Sequence, residues 1–220
     1  MRWIVIAALL AVTAGMAHAE VWQWTTASGG NDHWYDWVAA TGSTWAGARA
    51  TATGLTYSGQ HGYLATFTSE AEWNAYRTHA SSASLSAPVW LGGYQTPGTD
   101  TPSVPNVNAA VGWHWVTGEN WDAAAYASWG FTPGEPNNND NPVGEDALIA
   151  YGWSSYDNKT GKTWNDMYGG GRTWTPDAML VEYGGASDNG EGASTPEPTS
   201  LLLLAGSCLA GFVARRRRKA

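Results

Sequence analysis

The sequence predicts an α+β fold, with two helices near its start and short strands and long loops after them. Three observations carry this. Thr44–Leu55 and Ser69–His79 each repeat apolar residues at helical spacing. Elsewhere, short runs rich in Trp, Tyr, Val and Thr stop at glycines and prolines, as strands and turns do. The composition, with 27 Gly, 15 Trp and only 14% charged residues, favours an irregular strand-rich fold over a helical bundle. Helices that come before the strands, instead of alternating with them, argue for antiparallel sheet.

In order, Met1–Ala19 has the form of a secretory signal. Arg2 supplies the positive start, Trp3–Val12 is almost wholly apolar, and Ala17-His18-Ala19 fits the small-x-small cleavage pattern that would leave Glu20 as the new N-terminus. Val21–Trp24 is short and apolar, Gly29–Asp32 is a turn, and His33–Val38 reads as an aromatic-rich strand. In the first helix Trp45, Ala48, Ala52 and Leu55 share a face. Gly62–Phe67 is a strand, and Ser69 with Glu72 three residues on forms a capping box that opens the second helix. Pro88–Tyr94 is a buried-type strand, Thr96–Asn108 with its three prolines is loop, and Gly112–Gly118 is strand then turn. Asp177–Tyr183 closes the domain as a last strand, and residues 186–195 form a Gly/Ser/Asp linker.

The formal net charge of −8 hides a segregation of charge. Arg2, Arg215–Arg218 and Lys219 lie at the ends, so Glu20–Glu197 holds five basic against 19 acidic residues, a net of −14. A surface of that sign does not bind nucleic acid, whose phosphates need basic partners. The one cysteine, Cys208, lies in the C-terminal apolar run, so the domain has no internal disulfide and must be held by its core. His33, His61, His79 and His114 show no zinc-ligand spacing, and H-E-x-x-H, G-x-S-x-G and P-loop patterns are absent. Trp73, Trp90, Trp113 and Trp115 fall on periodic faces and are expected in the core.

Chemistry concentrates between Trp129 and Asp166, where Glu135-Pro136-Asn137, Glu145-Asp146 and Asn165-Asp166 gather carboxylates and amides. Hard oxygen donors from separated loop positions are what Ca²⁺ takes. An ordinary solvated loop is also rich in Asn, Pro and Gly, so composition alone leaves both readings open.

The order of the pieces resembles the C-type lectin-like domain, from about His33 to Tyr183. Gly62-Tyr63-Leu64-Ala65-Thr66-Phe67-Thr68-Ser69-Glu70-Ala71-Glu72 is similar to that family's approach to its second helix. Val89-Trp90-Leu91-Gly92-Gly93 and Trp113-His114-Trp115-Val116-Thr117-Gly118 are similar to its two core strands. Glu135-Pro136-Asn137 and Trp164-Asn165-Asp166 are similar to its two calcium-site motifs. The resemblance implies a C-type lectin-like fold over residues 20–185, two helices packed on short antiparallel sheets with a long calcium-binding loop region. It implies Ca²⁺ held by Glu135, Asn137, Glu145, Asn165 and Asp166, with a cis peptide bond before Pro136. Glu135, Asn137, Glu145 and Asn165 would also bind two neighbouring sugar hydroxyls, each of which donates to a carboxylate and accepts from an amide. The Glu-Pro-Asn order resembles the mannose/glucose type of site, as opposed to the Gln-Pro-Asp galactose type. Asp140 and Asp146 are candidates for an auxiliary calcium ion. The chain departs from the family pattern in lacking its cysteines, with Ala147 where many relatives have one, and in the long Asn-rich stretch between Glu135 and Glu145.

Residues 196–220 carry a second resemblance. Pro196-Glu197-Pro198, an apolar run to Ala214 and the Arg215–Lys219 cluster are similar to the bacterial PEP-CTERM sorting tag. The 16 residues between Pro198 and Arg215 fall short of the roughly 20 that span a bilayer, though snorkelling arginines extend them. The tag implies a transmembrane helix with a cytoplasmic basic tail, recognition by an exosortase-type protease, and a domain that ends at the cell surface or outside the cell. The expectation is therefore an exported, non-catalytic, calcium-dependent module that binds a mannose/glucose-type glycan or exopolysaccharide. The alternative is a matrix or protein-binding domain of the same fold in which calcium only braces the loops.

Overall fold

The computed structural model describes residues 21–80, 87–95, 110–139, 144–151, 162–171 and 174–184. All belong to one compact unit, Met1–Asn189. The second unit, Gly190–Ala220, lies outside the described residues, as do the signal segment, the linker, the Thr96–Asn108 loop and Asp140. Among the described residues no helix is long and apolar enough to cross a membrane. The apolar run expected to do so lies outside them.

The early half contains β1 (Trp22–Trp24), β2 (His33–Ala39), α1 (Trp45–Gly54), β3 (Thr56–Tyr57), β4 (Gln60–Leu64), α2 (Glu70–His79) and β5 (Val89–Gln95). Then come β6 (Trp113–Trp115), α3 (Ala123–Trp129), β7 (Ala147–Ala150), β8 (Trp164–Met167) and β9 (Ala178–Tyr183). The sheet runs β1-β2-β9-β5-β7-β8. The first and last long strands pair antiparallel, from Trp34↔Tyr183 to Ala39↔Ala178. The other edge of β9 is shared by β5 and β4. β7 and β8 form an antiparallel pair, Ala147↔Met167 to Ala150↔Trp164, and β7 lies against β5.

The α+β class holds, with three differences of detail. β5 runs parallel to β9, through Val89↔Ala178 and Trp90↔Met179, so the sheet is mixed and not purely antiparallel. A third helix, α3, is present; its seven residues offer only Tyr126 and Trp129 to the core, too few to show a period. β4 stops at Leu64 and not at Phe67, because the Thr66 amide donates to the Glu182 carboxylate (2.9 Å) instead of to a neighbouring strand.

Both predicted helices have their caps. The Thr44 hydroxyl accepts from Gly47 N at 3.1 Å and the Ser69 hydroxyl from Glu72 N at 3.2 Å. The capping box of α2 is half made. Glu72 does not reach back to Ser69; it accepts from Thr68 N (2.9 Å), the Tyr35 hydroxyl (2.6 Å) and Asn31 Nδ2 (3.0 Å).

Strand alternation divides the core. One face gathers Phe67, Trp73, Leu91, Trp115, Trp164 and Leu180; the other gathers Ala48, Ala52, Leu64, Trp90, Ile149 and Val181. Trp73, Trp90, Trp113 and Trp115 are all buried, as expected. Ala147, the position of a cysteine in many relatives, is buried against the second face. Packed aromatics supply the cross-links here that disulfides would otherwise make.

Glu182 of β9 is buried beside Tyr35, His33 and Thr66. His33 Nδ1 lies 2.6 Å from it. Burial lowers the His33 pKa, but the Glu182 bond and the charges of Glu182, Glu72 and Glu119 raise it more, for a net rise. Burial and then the Glu182 charge push Glu72 up to about 7, against the opposing bonds from Tyr35 and Thr68.

Candidate functional site

Trp164 is the anchor of the site. It is fully buried and packs edge-on against Trp73, Trp115, Trp129 and Phe131. Alternation along β8 then fixes its neighbours: Asp166 shares the face of Trp164, and Asn165 points the other way. Trp129 is buried too, so it and Trp164 support the loops from beneath.

The Glu135 loop is tied to the same strand. Trp164 N donates to Gly130 O (2.9 Å) and Thr132 N to Trp164 O (3.0 Å), a parallel bridge centred on Phe131. This close approach requires glycine at 130, where a Cβ would meet the Trp164 ring at 2.6 Å. The chain then turns through Glu135 N donating to Thr132 O (3.0 Å), and the Glu135–Pro136 peptide is cis, as the family resemblance implies.

Asp166 holds the turn beyond Pro136. Its Oδ1 accepts from Asn137 N (3.0 Å) and its Oδ2 from Asn138 N (2.7 Å). Asn138 is buried, with a left-handed φ of 51°, and its side-chain oxygen accepts from Glu145 N (2.7 Å). Glu145 Oε2 in turn accepts from Asn139 N (2.7 Å). The long stretch is thereby closed on itself, and Glu145 is brought back to the loop that begins at Glu135. Asn138 does this work without having drawn notice in the sequence.

Of the predicted ligand residues, Asp166 binds the backbone at Asn137, just beyond Glu135 and Pro136, Glu145 is tied to the same loop through Asn138 and Asn139, and Asn165 faces Tyr151 from the other side of β8. Asp146 does not. Its Oδ1 accepts from Gly169 N (2.8 Å), which fastens the far end of β8. Asp140 lies outside the described residues. Tyr151, also unforeseen, accepts from Asn165 Nδ2 at 2.8 Å and so fixes which way that amide faces.

The donors fit a hard cation. Glu135 Oε2, Asn137 Oδ1 and Asn165 Oδ1 are buried and have no hydrogen-bond partner. Buried polar atoms are nearly always satisfied, so these three oxygens, each on a predicted ligand residue, call for a hydrogen-bond donor or a cation as partner. Among the described residues no three Asp, Glu, His or Cys side chains gather closely enough to hold an ion unaided. Burial, then the Asp166 charge, raises Glu135 to about 7. Burial raises Asp166 as well, against the opposing hydrogen bonds from the Asn138 and Asn137 amides.

Residues 194–218 match the family described as the PEP-CTERM protein-sorting motif, which marks an exported protein sorted to the cell envelope and implies exosortase processing. No curated protein matches the chain in sequence. Among solved structures, the C-type lectin CEL-I from Cucumaria echinata is similar, with a TM-score of 0.46 at 18% identity, over 70% of this chain and 91% of that one. The Kupffer cell C-type lectin receptor Clec4f gives 0.46 at 21%, over 70% and 80%. The Ca²⁺-independent C-type lectin SPL-2 from Saxidomus purpuratus gives 0.41 at 17%, over 71% and 88%. At these values no property passes from them to this chain. The described domain has the α+β element order that its resemblance to the C-type lectin-like fold implies, and the chain carries a PEP-CTERM sorting motif.

Proposed function

We propose that this is an exported, calcium-dependent carbohydrate-binding domain with a mannose/glucose-type site, acting on surface or extracellular polysaccharide without catalysis. The observation that supports it best is the trio of buried, unpartnered oxygens on Glu135, Asn137 and Asn165. Ca²⁺ bound there would supply a Lewis-acidic centre for two neighbouring sugar hydroxyls. Glu135 and Glu145 would accept hydrogen bonds from the hydroxyls, and the Asn137 and Asn165 amides would donate to the hydroxyl oxygens. Asp166 would orient the loop through Asn137 N and Asn138 N while adding negative charge.

A second reading has its own support. Both Asp166 oxygens bond loop amides, and the Asn165 amide bonds Tyr151. A site built that way also suits an ion that only braces loops in a matrix or protein-binding domain.

Retention of the purified protein on immobilised mannose in millimolar calcium, followed by EDTA, separates the two. Retention that EDTA releases, and that Asn137→Asp abolishes by replacing an amide donor with an acceptor, is the expected result. Calcium uptake with no retention on mannose or glucose would favour the bracing role.

A further inference from the structure

One stretch of this acidic domain carries almost no charge. Residues 50–69 hold no Asp, Glu, Lys or Arg, although Glu20–Glu197 holds 19 acidic residues. The exposed part of that stretch is the hairpin of β3 and β4, closed by Ser58 and Gly59 at left-handed φ values of 49° and 80°. Two such residues make the tight turn whose twist matches its strands, so the hairpin is stiff. It holds Tyr57, 36% exposed, against the half-buried Trp34 of β2, with ring centroids 5.0 Å apart. The acidic neighbours are withdrawn. Asp36 and Glu182 are buried, and Asp32 turns its carboxylate back to Thr26 N at 2.7 Å. The chain leaves the domain at this same place: Tyr183 ends β9, pairs with Trp34 and lies 5.7 Å from the Tyr57 ring.

We propose that the Trp34–Tyr57 surface is where the domain rests on the bilayer that its C-terminal apolar run enters, with both rings at headgroup level. The connection that follows β9 supports this. The 13 residues 185–197 are rich in Gly, Ser and Asp. A flexible chain of that length spans roughly 20 Å. A domain of this length is about 40 Å across, so such a tether favours the end where β9 stops over the rest of the surface. Trp and Tyr settle at a membrane–water interface, because each has an apolar body and a polar edge. Anionic headgroups repel the acidic remainder of the domain and spare an uncharged surface. Two aromatic rings bind a membrane weakly from solution, but a tether raises their effective concentration, which lets them orient the domain. This holds whether or not the Glu135 loop takes a sugar.

The test places one nitroxide label on the full chain, carrying Cys208→Ser, in vesicles of phosphatidylethanolamine and phosphatidylglycerol. The label sits at Gln60→Cys, which faces Tyr57 across the hairpin, or at the exposed Asn74→Cys of α2 as a reference. The expected result is more collision with dissolved oxygen and less with a water-soluble nickel chelate at position 60 than at position 74. Tyr57→Ser, a change at an exposed side chain, should remove most of that contrast. Equal accessibility at the two positions would overturn the proposal. So would a contrast that Tyr57→Ser leaves intact, because the aromatic surface would then have no part in it. Spin–spin broadening at position 60 without contact with lipid would assign the surface to a second copy of the chain and overturn the proposal as well.

Discussion

Gly130 shows how one residue governs the placement of the site. Its missing side chain lets β8 come close enough for the bonds among Trp164, Gly130 and Thr132. The atom a substitution would strike belongs to a rigid, fully buried indole, which cannot swing away. Gly130→Ala should therefore cost about 1–3 kcal/mol, as overpacking does. Denaturant midpoints measure that cost, and a stability equal to wild type would mean that the loop shifts freely. The cis bond before Pro136 was legible through the family resemblance, because a Glu-Pro-Asn motif is local in the chain. Asn138 and Tyr151 were not. Asn138 matters through a left-handed turn and a bond to a residue seven positions on, and Tyr151 through a bond to the Asn165 amide across separate segments.

At the scale of elements, α2 is the best-specified piece of the chain. Ser69 caps it, Glu70 and Glu72 lie in its first turn, and Arg77 and His79 lie in its last, each complementing the helix dipole. Ser69→Ala should cost about 1 kcal/mol, read from urea unfolding. Because Glu72 serves Thr68, Tyr35 and Asn31 and not the cap, that cost should be the loss of one bond, with no cooperative failure of the network. The same locality explains why both long helices could be read from spacing, while α3 and the parallel β5–β9 pair could not. A seven-residue helix has no measurable period, and strand direction is settled only by where the chain returns.

For the whole molecule, the buried charges set a dependence on pH. His33 has a folded value above its ordinary 6.5, so the stability it contributes is present at lower pH and is lost as pH rises through that folded value. Glu72, raised from 4.5 to about 7, holds a proton in the folded state that the unfolded chain releases, so its effect has the same sign between those values. In EDTA the protein should thus be less stable at pH 8 than at pH 5.5, by about 1–3 kcal/mol. Glu72→Gln should flatten that difference, whatever its constant cost from the altered bond to Thr68. A pH-independent unfolding free energy in the wild type would refute the assignment. The pairing of β2 with β9 has a mechanical consequence. Trp34 faces Tyr183 and Ala39 faces Ala178, so the two strands leave the sheet from the same end. A pull between those two ends would part them rung by rung, the weakest way to load a ladder. The domain should therefore yield most readily when stretched between the ends of those two strands.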